Sequence, residues 1–204
     1  MKNEAVLREA FLTNTIRLIG ECGFEKATTN AIAHDGIQLP GISTNEVYIY
    51  RLFGSKVHLY EEAFALLDNE LFSHLKDLLQ TWDWEGKTME ENFQTIFRSV
   101  WRFLLEHEHR CRCYIRFYYS AYFQGEPLRR HRKLLNEQKA YFAPVFKEES
   151  DVIAIVHTVF MSMLDFANRV FNHDIEDNEE NAYHIFLLLF SSLTPYLRTE
   201  RAGA

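Results

Sequence analysis

Apolar residues recur at steps of three and four along most of the chain, a spacing that predicts amphipathic helices. The most regular stripe runs from Tyr60 to Leu78, and a shorter one runs through residues 7–22. Only 8 glycines and 4 prolines interrupt the 204 residues, and such sparse punctuation favours long helices over short strands with turns. The pattern therefore predicts an all-α fold.

Capping residues and helix breakers divide the chain into nine predicted helices with no convincing strand. Thr88 and Glu91 form a capping box at the start of the fifth helix. Residues 36–42, which contain a Pro-Gly pair, are predicted as a loop, and residues 107–113 as a polar connection. The predicted helices cover approximately residues 3–22, 28–36, 46–52, 55–78, 88–106, 114–123, 127–141, 150–172 and 177–198.

Charge is distributed unevenly along the chain. The formal net charge is −7, but residues 1–60 contain as many basic as acidic side chains. All of the excess acidic charge therefore lies beyond residue 60. The overall charge permits local contacts with phosphates in the N-terminal region, although it does not by itself predict them.

The sequence shows neither a secretion signal nor a long apolar span. Glu4 and Arg8 interrupt the N-terminal apolar residues, and the longest apolar run, Ile185–Phe190, is too short to cross a bilayer. The 3 cysteines suit a reducing compartment better than a disulfide framework. We therefore expect a cytoplasmic protein with no membrane partner.

Two blocks of sequence in the N-terminal region follow one another in a specific order. In Phe24–Ala33 an aromatic residue follows a glycine and precedes a threonine-capped helix, and in Tyr48–Lys56 closely spaced aromatic residues precede a Gly-Ser-Lys helix start. The ordered pair resembles the DNA-binding region of the tetracycline-repressor (TetR) family of transcriptional regulators. The resemblance implies an all-α, nine-helix, two-part architecture. It places a helix-turn-helix DNA-binding domain at residues 1–54 and a ligand-binding and dimerisation domain at residues 55–204.

The sequence departs from the family pattern at two points. The stretch between Ala33 and Asn45 is longer than the family's turn between its second and third helices. Val47 stands where the family has a smaller residue, just before the aromatic residues of the recognition helix. Both changes bear on the tilt of that helix and on which side chains reach the bases.

Residues 45–53 correspond to the recognition helix of the resemblance. Ile49 and Phe53 share one stripe and are expected to face the core. The side chains that this leaves pointing elsewhere are Asn45, Glu46, Tyr48 and Arg51. The helix starts near Thr28 and Ser55 offer backbone N–H groups that attract phosphate. Because most protein–DNA hydrogen bonds go to the backbone, these positions are predicted to set the register on DNA.

Affinity and sequence choice are assigned to different residues of this region. We expect Lys56 and Tyr50 to contact phosphates, and Asn45, Tyr48 and Arg51 to select the sequence, with Arg51 reading guanine and Asn45 reading adenine. The tyrosines could instead be core aromatic residues, and Arg51 a solvated charge. The predicted DNA-binding residues are Thr28, Thr29, Asn45, Glu46, Tyr48, Tyr50, Arg51, Ser55 and Lys56.

Aromatic residues make up 15% of the chain and are dense in the predicted helices of the second domain. The resemblance implies a pocket for a small apolar ligand, aromatic or elongated, among helices 4 to 8. A fully packed core is the alternative, because aromatic residues at helical spacing are usually core. The candidate pocket residues are Trp101, Arg116, Phe117, Tyr122, His157, Phe160, Asp165 and Asn168.

The segment His107–Cys113 places two histidines and two cysteines at alternating positions, a donor set that suits zinc or copper. Residues two apart do not share a helix face, so a polar connection is the expected structure there. The basic run Arg129–Lys133 is expected to be a solvated helix face. No phosphate loop, metalloprotease motif or nucleophile elbow is present, so we expect neither catalysis nor a metal or cofactor.

Together these observations predict a DNA-binding transcription regulator, and more specifically a repressor that a small apolar ligand releases from a palindromic double-stranded operator. A homodimer built by helices 8 and 9 is expected, because Ile185–Phe190 is apolar on every side and needs a second cover. The alternative is an all-helical metal- or thiol-binding protein that uses His107–Cys113.

Overall fold

The computed structural model describes residues 2–35, 44–80 and 82–198. Within these ranges the chain forms nine α-helices and no strand, so the all-α, nine-helix prediction is confirmed. The predicted loop at residues 36–42 lies outside the described residues. The helices are α1 Lys2–Cys22, α2 Thr29–His34, α3 Glu46–Phe53, α4 Lys56–Gln80, α5 Met89–Glu106, α6 Glu108–Tyr118, α7 Glu126–Phe142, α8 Val152–Phe171 and α9 Glu179–Leu193, and a 3₁₀ turn, Thr194–Tyr196, follows α9.

Side-chain caps set the starts of several helices where the sequence predicted them. The backbone N–H of Glu91 donates to the Thr88 hydroxyl at 3.2 Å, and the backbone N–H of Thr88 donates to the Glu91 carboxylate at 2.8 Å. This reciprocal pair confirms the capping box. Asp151 caps α8 and Asn178 caps α9 in the same way, each accepting a backbone N–H three residues on.

The predicted connection at residues 107–113 is wrong, because α6 already begins at Glu108. The helix also ends at Tyr118, whereas the sequence prediction carried it to residue 123. The segment looks polar because its outward side chains are charged. Arg110 pairs with Glu70, and Arg112 pairs with Glu108 at 2.8 Å. These ion pairs satisfy the polar side while the other side of the helix is buried, so a helix replaces the expected loop.

The end of α9 also differs from the sequence prediction, which carried the helix to residue 198. The α-helix stops at Leu193, and the following 3₁₀ turn contains Pro195. Proline has no N–H to donate to the preceding turn, which ends the helical ladder. Beyond the turn, Phe146 and Leu197 form an isolated bridge that holds the end of this segment against the residues after α7.

The chain divides into two compact units. The first unit comprises Met1–Glu70 and His107–His131, and the second comprises Leu71–Glu106 and Arg132–Ala204. The predicted functional division at residue 54 remains a prediction.

In the first unit, α1 lies directly against α6. The two backbones approach so closely at Gly20 that a β-carbon there would lie 2.2 Å from the carbonyl oxygen of His109. The guanidinium of Arg116 also donates to the carbonyl of Ile19. Because only glycine permits this separation of the helices, the position of α6 on α1 depends on the residue at position 20.

In the second unit, α5, α8 and α9 pack on one another around buried aromatic side chains. Phe97 stacks on Trp101 with ring centroids 5.6 Å apart, and it also contacts Phe186 of α9 at 5.7 Å. Leu164 of α8 is also buried in this unit, with 1% of its surface exposed. These contacts bury most of the inner side of α5.

Candidate nucleic-acid interface

The short helix α3 has two sharply different faces. Ile49 and Phe53 are buried at 0% and 3% exposure, as the sequence predicted. On the opposite side, Val47 is 71% exposed and Tyr50 is 51% exposed, and the Arg51 side chain is 53% exposed. Steps of three and four residues place Val47, Tyr50 and Arg51 on one face of the helix. This outward face of α3, defined by these three residues, is available to a partner.

The N-terminus of α3 is capped by Asn45. Its side-chain oxygen accepts the backbone N–H groups of Val47 at 3.0 Å and of Tyr48 at 3.4 Å. A bidentate contact with adenine would need that oxygen together with the amide nitrogen. In the structure Asn45 holds the first turn of α3, and its predicted contact with adenine stays a prediction.

Glu46 joins α3 to α2. Its carboxylate accepts the hydroxyl of Thr29 at 2.5 Å and the side-chain amide of Asn30 at 3.3 Å. The hydrogen bond from Thr29 first, and that from Asn30 second, lower the pKa of Glu46 below its ordinary value. Two of the predicted DNA-binding side chains, Thr29 and Glu46, thus bind each other and set the position of α3 on α2.

The last turn of α3 is hydrogen-bonded to α1. The Arg51 guanidinium donates to the Glu4 carboxylate at 3.1 Å and lies 4.7 Å from the centre of the Tyr48 ring. Arg8 of α1 donates to the carbonyl of Leu52 at 3.0 Å. These contacts orient α3 while leaving about half of the Arg51 side chain exposed.

The start of α4 presents Lys56 beside the end of α3. The Ser55 hydroxyl accepts the backbone N–H of His58 at 3.0 Å, so Ser55 caps this helix. Lys56 lies above the Tyr60 ring, 5.4 Å from its centre. The Tyr60 hydroxyl donates to the carbonyl of Ala27 at 2.6 Å, next to Thr28, the residue that caps α2. Tyr60 therefore ties the start of α4 to the start of α2.

The candidate pocket residues fall in both compact units. Phe117 and Tyr122 belong to an aromatic cluster of the first unit. In this cluster the ring centroids of Tyr122 and Tyr60 are 5.3 Å apart. In α8 of the second unit, Asp165 is exposed. The remaining members there, His157, Phe160 and Asn168, are half-buried. Their role as a ligand pocket remains a prediction.

Trp101 lines a cleft of about 520 Å³ between α5 and the start of α9, within the second unit. The aromatic floor is formed by Trp101, Phe97 and Phe186, and Arg98 lies 3.8 Å from Glu179 across the cleft. Sequence reasoning found Trp101 from its place in an aromatic helix. It had no signal for the α9 residues, because their proximity to α5 follows only from packing.

A buried polar cluster in the first unit was not found from the sequence. The imidazole Nδ1 of His131 lies 3.0 Å from the Asp68 carboxylate, and the Tyr114 hydroxyl donates to that carboxylate at 3.0 Å. Burial first, and the Asp68 charge second, raise the pKa of Tyr114. The run Arg129–Lys133 is otherwise exposed, as expected, but its central histidine is only 3% exposed.

Cys111 and Cys113 are buried in α6, and burial raises the pKa of each thiol to about 12. At neutral pH these thiols are protonated, whereas a metal ligand or a reactive cysteine must be a thiolate. The described part of the chain contains no group of three or more His, Cys, Asp or Glu side chains placed to hold a metal. The geometry does not favour the metal- or thiol-binding alternative.

The fold and this interface define a helical protein with a pair of short helices, α2 and α3, presented beside the start of a long one. The chain has the fold of the TetR family of transcription regulators, as superposition on solved structures shows. A TetR-family regulator from Marinobacter aquaeolei superposes with a TM-score of 0.72 at 19% identity, over 97% of this chain and 99% of that one.

Two further solved structures show the same fold. A TetR-like regulator from a Rhodococcus species superposes with a TM-score of 0.65 at 17% identity, over 93% of this chain and 97% of that one. The fatty acid degradation regulator FadR from Bacillus halodurans superposes with a TM-score of 0.64 at 15% identity, over 91% and 98%. No protein-family model matches the sequence, and no curated protein matches it.

Proposed function

We propose that the chain is a sequence-specific, DNA-binding transcription regulator. The observation that carries the proposal is the outward face of α3. Its side chains are exposed, while the opposite face is buried and both ends of the helix are fixed to α1 and α2. A major groove admits one helix of this kind, and a rigidly held helix positions its side chains against base edges.

Within this proposal the side chains have separate tasks. Arg51 reads a base edge, and the guanidinium is suited to the two acceptors of guanine. Lys56, with Tyr50, contacts phosphates, and Thr28 and Ser55 bring the starts of α2 and α4 to the DNA backbone. Asn45 and Glu46 also hold the first turn of α3 in place.

Selection from a random pool of duplex DNA tests the proposal. The full chain should enrich one short palindromic sequence, and the enriched duplex should shift in a mobility assay at concentrations where a scrambled duplex does not. If repeated rounds enrich no sequence, and the chain shifts neither duplex, the chain is not a DNA-binding regulator.

The proposal includes a homodimer formed by α8 and α9. The most apolar stretch of α8 has a mean hydropathy of 1.2, yet only 22% of it is buried within the chain. Leu188 of α9 is 60% exposed and Tyr183 is 43% exposed. By length and composition alone α8 also suits a membrane span, but a symmetric contact with a second copy covers the same surface.

The regulator is further proposed to be a cytoplasmic repressor that a small apolar ligand releases from DNA. A ligand lowers DNA affinity only if it binds better to the state that fits DNA less well. Trp101 and Phe97 line the cleft of the second unit with aromatic rings, against which such a ligand can pack. A screen of hydrophobic compounds by Trp fluorescence, melting temperature and DNA affinity tests this, and a compound set that changes none of the three would contradict it.

A further inference from the structure

Val47 is the most exposed side chain of the outward face of α3. It is the second residue of the helix, and 71% of its surface is accessible although it carries only hydrocarbon. An exposed apolar side chain at the proposed DNA surface is a candidate for selecting this chain's own operator.

Local energetics do not explain a valine at this position. A β-branched residue is a poorer helix former than alanine, and no burial offsets that cost here. Single exposed apolar residues are common on protein surfaces. Val47, however, shares its face with exposed Tyr50 and Arg51, on a helix anchored at both ends.

The other side chains at the start of α3 already have partners. Asn45 caps the helix, Glu46 accepts hydrogen bonds from α2, and Tyr48 lies beneath Arg51. Among the described residues of this first turn, Val47 is therefore the side chain that stays largely exposed. The N-terminal residues of a recognition helix are the ones that contact base edges in helix-turn-helix proteins.

Valine can make only apolar contacts, and this limits the base that it can recognise. In the major groove the 5-methyl group of thymine is the apolar group that distinguishes one base pair from another. We propose that Val47 is a specificity-determining residue that packs against the 5-methyl group of one thymine in each half-site. This inference rests on the proposed DNA-binding function and identifies part of the sequence that α3 selects.

Replacing thymine by deoxyuridine tests the contact directly, because it removes the methyl group and leaves base pairing intact. The duplex selected from the random pool is prepared with each thymine replaced in turn, at the matching position of both half-sites. At one position the affinity of the full chain should fall by about fourfold per half-site, the effect expected for one lost methyl contact. Replacement at the other thymines should change affinity by less.

Two variants assign the effect to Val47. Val47→Ala should bind the thymine and deoxyuridine duplexes equally at the sensitive position, since the partner of the methyl group is gone. Val57→Ala is the matched control, because Val57 is a 46% exposed valine in the first turn of α4. It should retain the preference for thymine. Thermal unfolding checks that both variants are folded.

The outcomes separate this inference from the proposed function. If the chain selects a sequence but every deoxyuridine duplex binds as well as its thymine parent, the contact does not exist, while DNA binding stands. The inference is equally overturned if the selected half-sites lack a thymine, or if Val47→Ala keeps the full preference for thymine. If the chain selects no DNA at all, the proposed function fails and the inference fails with it.

Discussion

At the scale of single residues, the proposed interface predicts different tasks for Arg51 and Lys56. Arg51 lies on the outward face of α3, held by Glu4 yet half exposed, whereas Lys56 lies at the start of α4. A side chain at the start of a neighbouring helix is suited to a phosphate, and one on the recognition helix is suited to a base. The two positions therefore predict opposite signatures when each side chain is removed.

Lys56→Ala is expected to weaken binding to every DNA sequence by about the same factor. In a dimer it removes two phosphate contacts, so the slope of log affinity against log salt should fall by about two units. Arg51→Ala is expected to weaken the selected sequence far more than a scrambled one, by about 1–3 kcal/mol of discrimination. Titrations of both variants against both duplexes across a salt series measure this.

Each variant serves as the control for the other in these titrations. A change of sequence preference in Lys56→Ala, or a uniform loss in Arg51→Ala, would mean that α3 is rotated differently in the groove. Unchanged DNA binding in both variants would contradict the proposed interface itself.

Glu46 is expected to make the contact between α2 and α3 sensitive to acid. Its pKa is lowered in the folded chain, so the ionised form stabilises the fold above the unfolded pKa. That contribution is lost as the pH falls through the folded pKa. Glu46→Gln should therefore lower the free energy of unfolding at neutral pH and make no difference in strong acid. Denaturation in urea over a pH series measures both.

A matched control for this experiment is Glu9→Gln, which changes an exposed glutamate of α1 outside the α2–α3 contact. It should show a smaller difference at neutral pH. Equal effects of the two substitutions would mean that general surface charge, and not the hydrogen bonds from Thr29 and Asn30, produces the pH dependence.

At the scale of helices, the crossing of α1 and α6 depends on one backbone contact. A β-carbon at Gly20 would lie 2.2 Å from the carbonyl oxygen of His109, and backbone cannot rotate away as a side chain can. Glycine to alanine within a helix ordinarily stabilises by about 0.5–1 kcal/mol. Here the clash reverses the sign, because the two helices must separate.

Gly20→Ala should accordingly lower the free energy of unfolding by about 1–3 kcal/mol, the usual cost of overpacking. His109→Ala is the control, since it removes the exposed side chain of the contacting residue but leaves its backbone carbonyl in place. Urea denaturation of the two variants compares them. A stabilising effect of Gly20→Ala would mean that α1 and α6 are not held at this separation.

At the scale of the whole molecule, the surface of α8 and α9 decides the proposed assembly. Leu188 is 60% exposed on α9, so aspartate there should be tolerated by the single chain but not by a dimer interface. Leu188→Asp should halve the mass in solution, as measured by light scattering during gel filtration. Tyr119→Asp is the control, because Tyr119 is 74% exposed and lies outside α8 and α9.

If Leu188→Asp leaves the mass unchanged, the interface lies elsewhere. Loss of helical content in that variant would instead show that Leu188 supports the single chain, and the circular dichroism spectrum of each variant separates the two results.

The sequence by itself determined the number of helices, most of their starts and the two faces of α3. These features are local: Thr88 and Glu91 cap a helix within one turn, and Ile49 and Phe53 are separated by one turn of the helix that they bury. Periodicity and capping involve residues only a few positions apart, so both can be recognised in the sequence alone.

Tertiary structure alone decided which polar side chains bind one another. Asp68 and His131 are 63 residues apart in sequence yet in contact, and Glu46 reaches Thr29 across the segment between α2 and α3. The charged residues of α6 led to the prediction of a loop, because the sequence does not show that Arg110 pairs with Glu70 of α4. Such pairs depend on how the helices pack, because burial makes an unpaired polar group costly and so selects its partner from whichever element lies opposite.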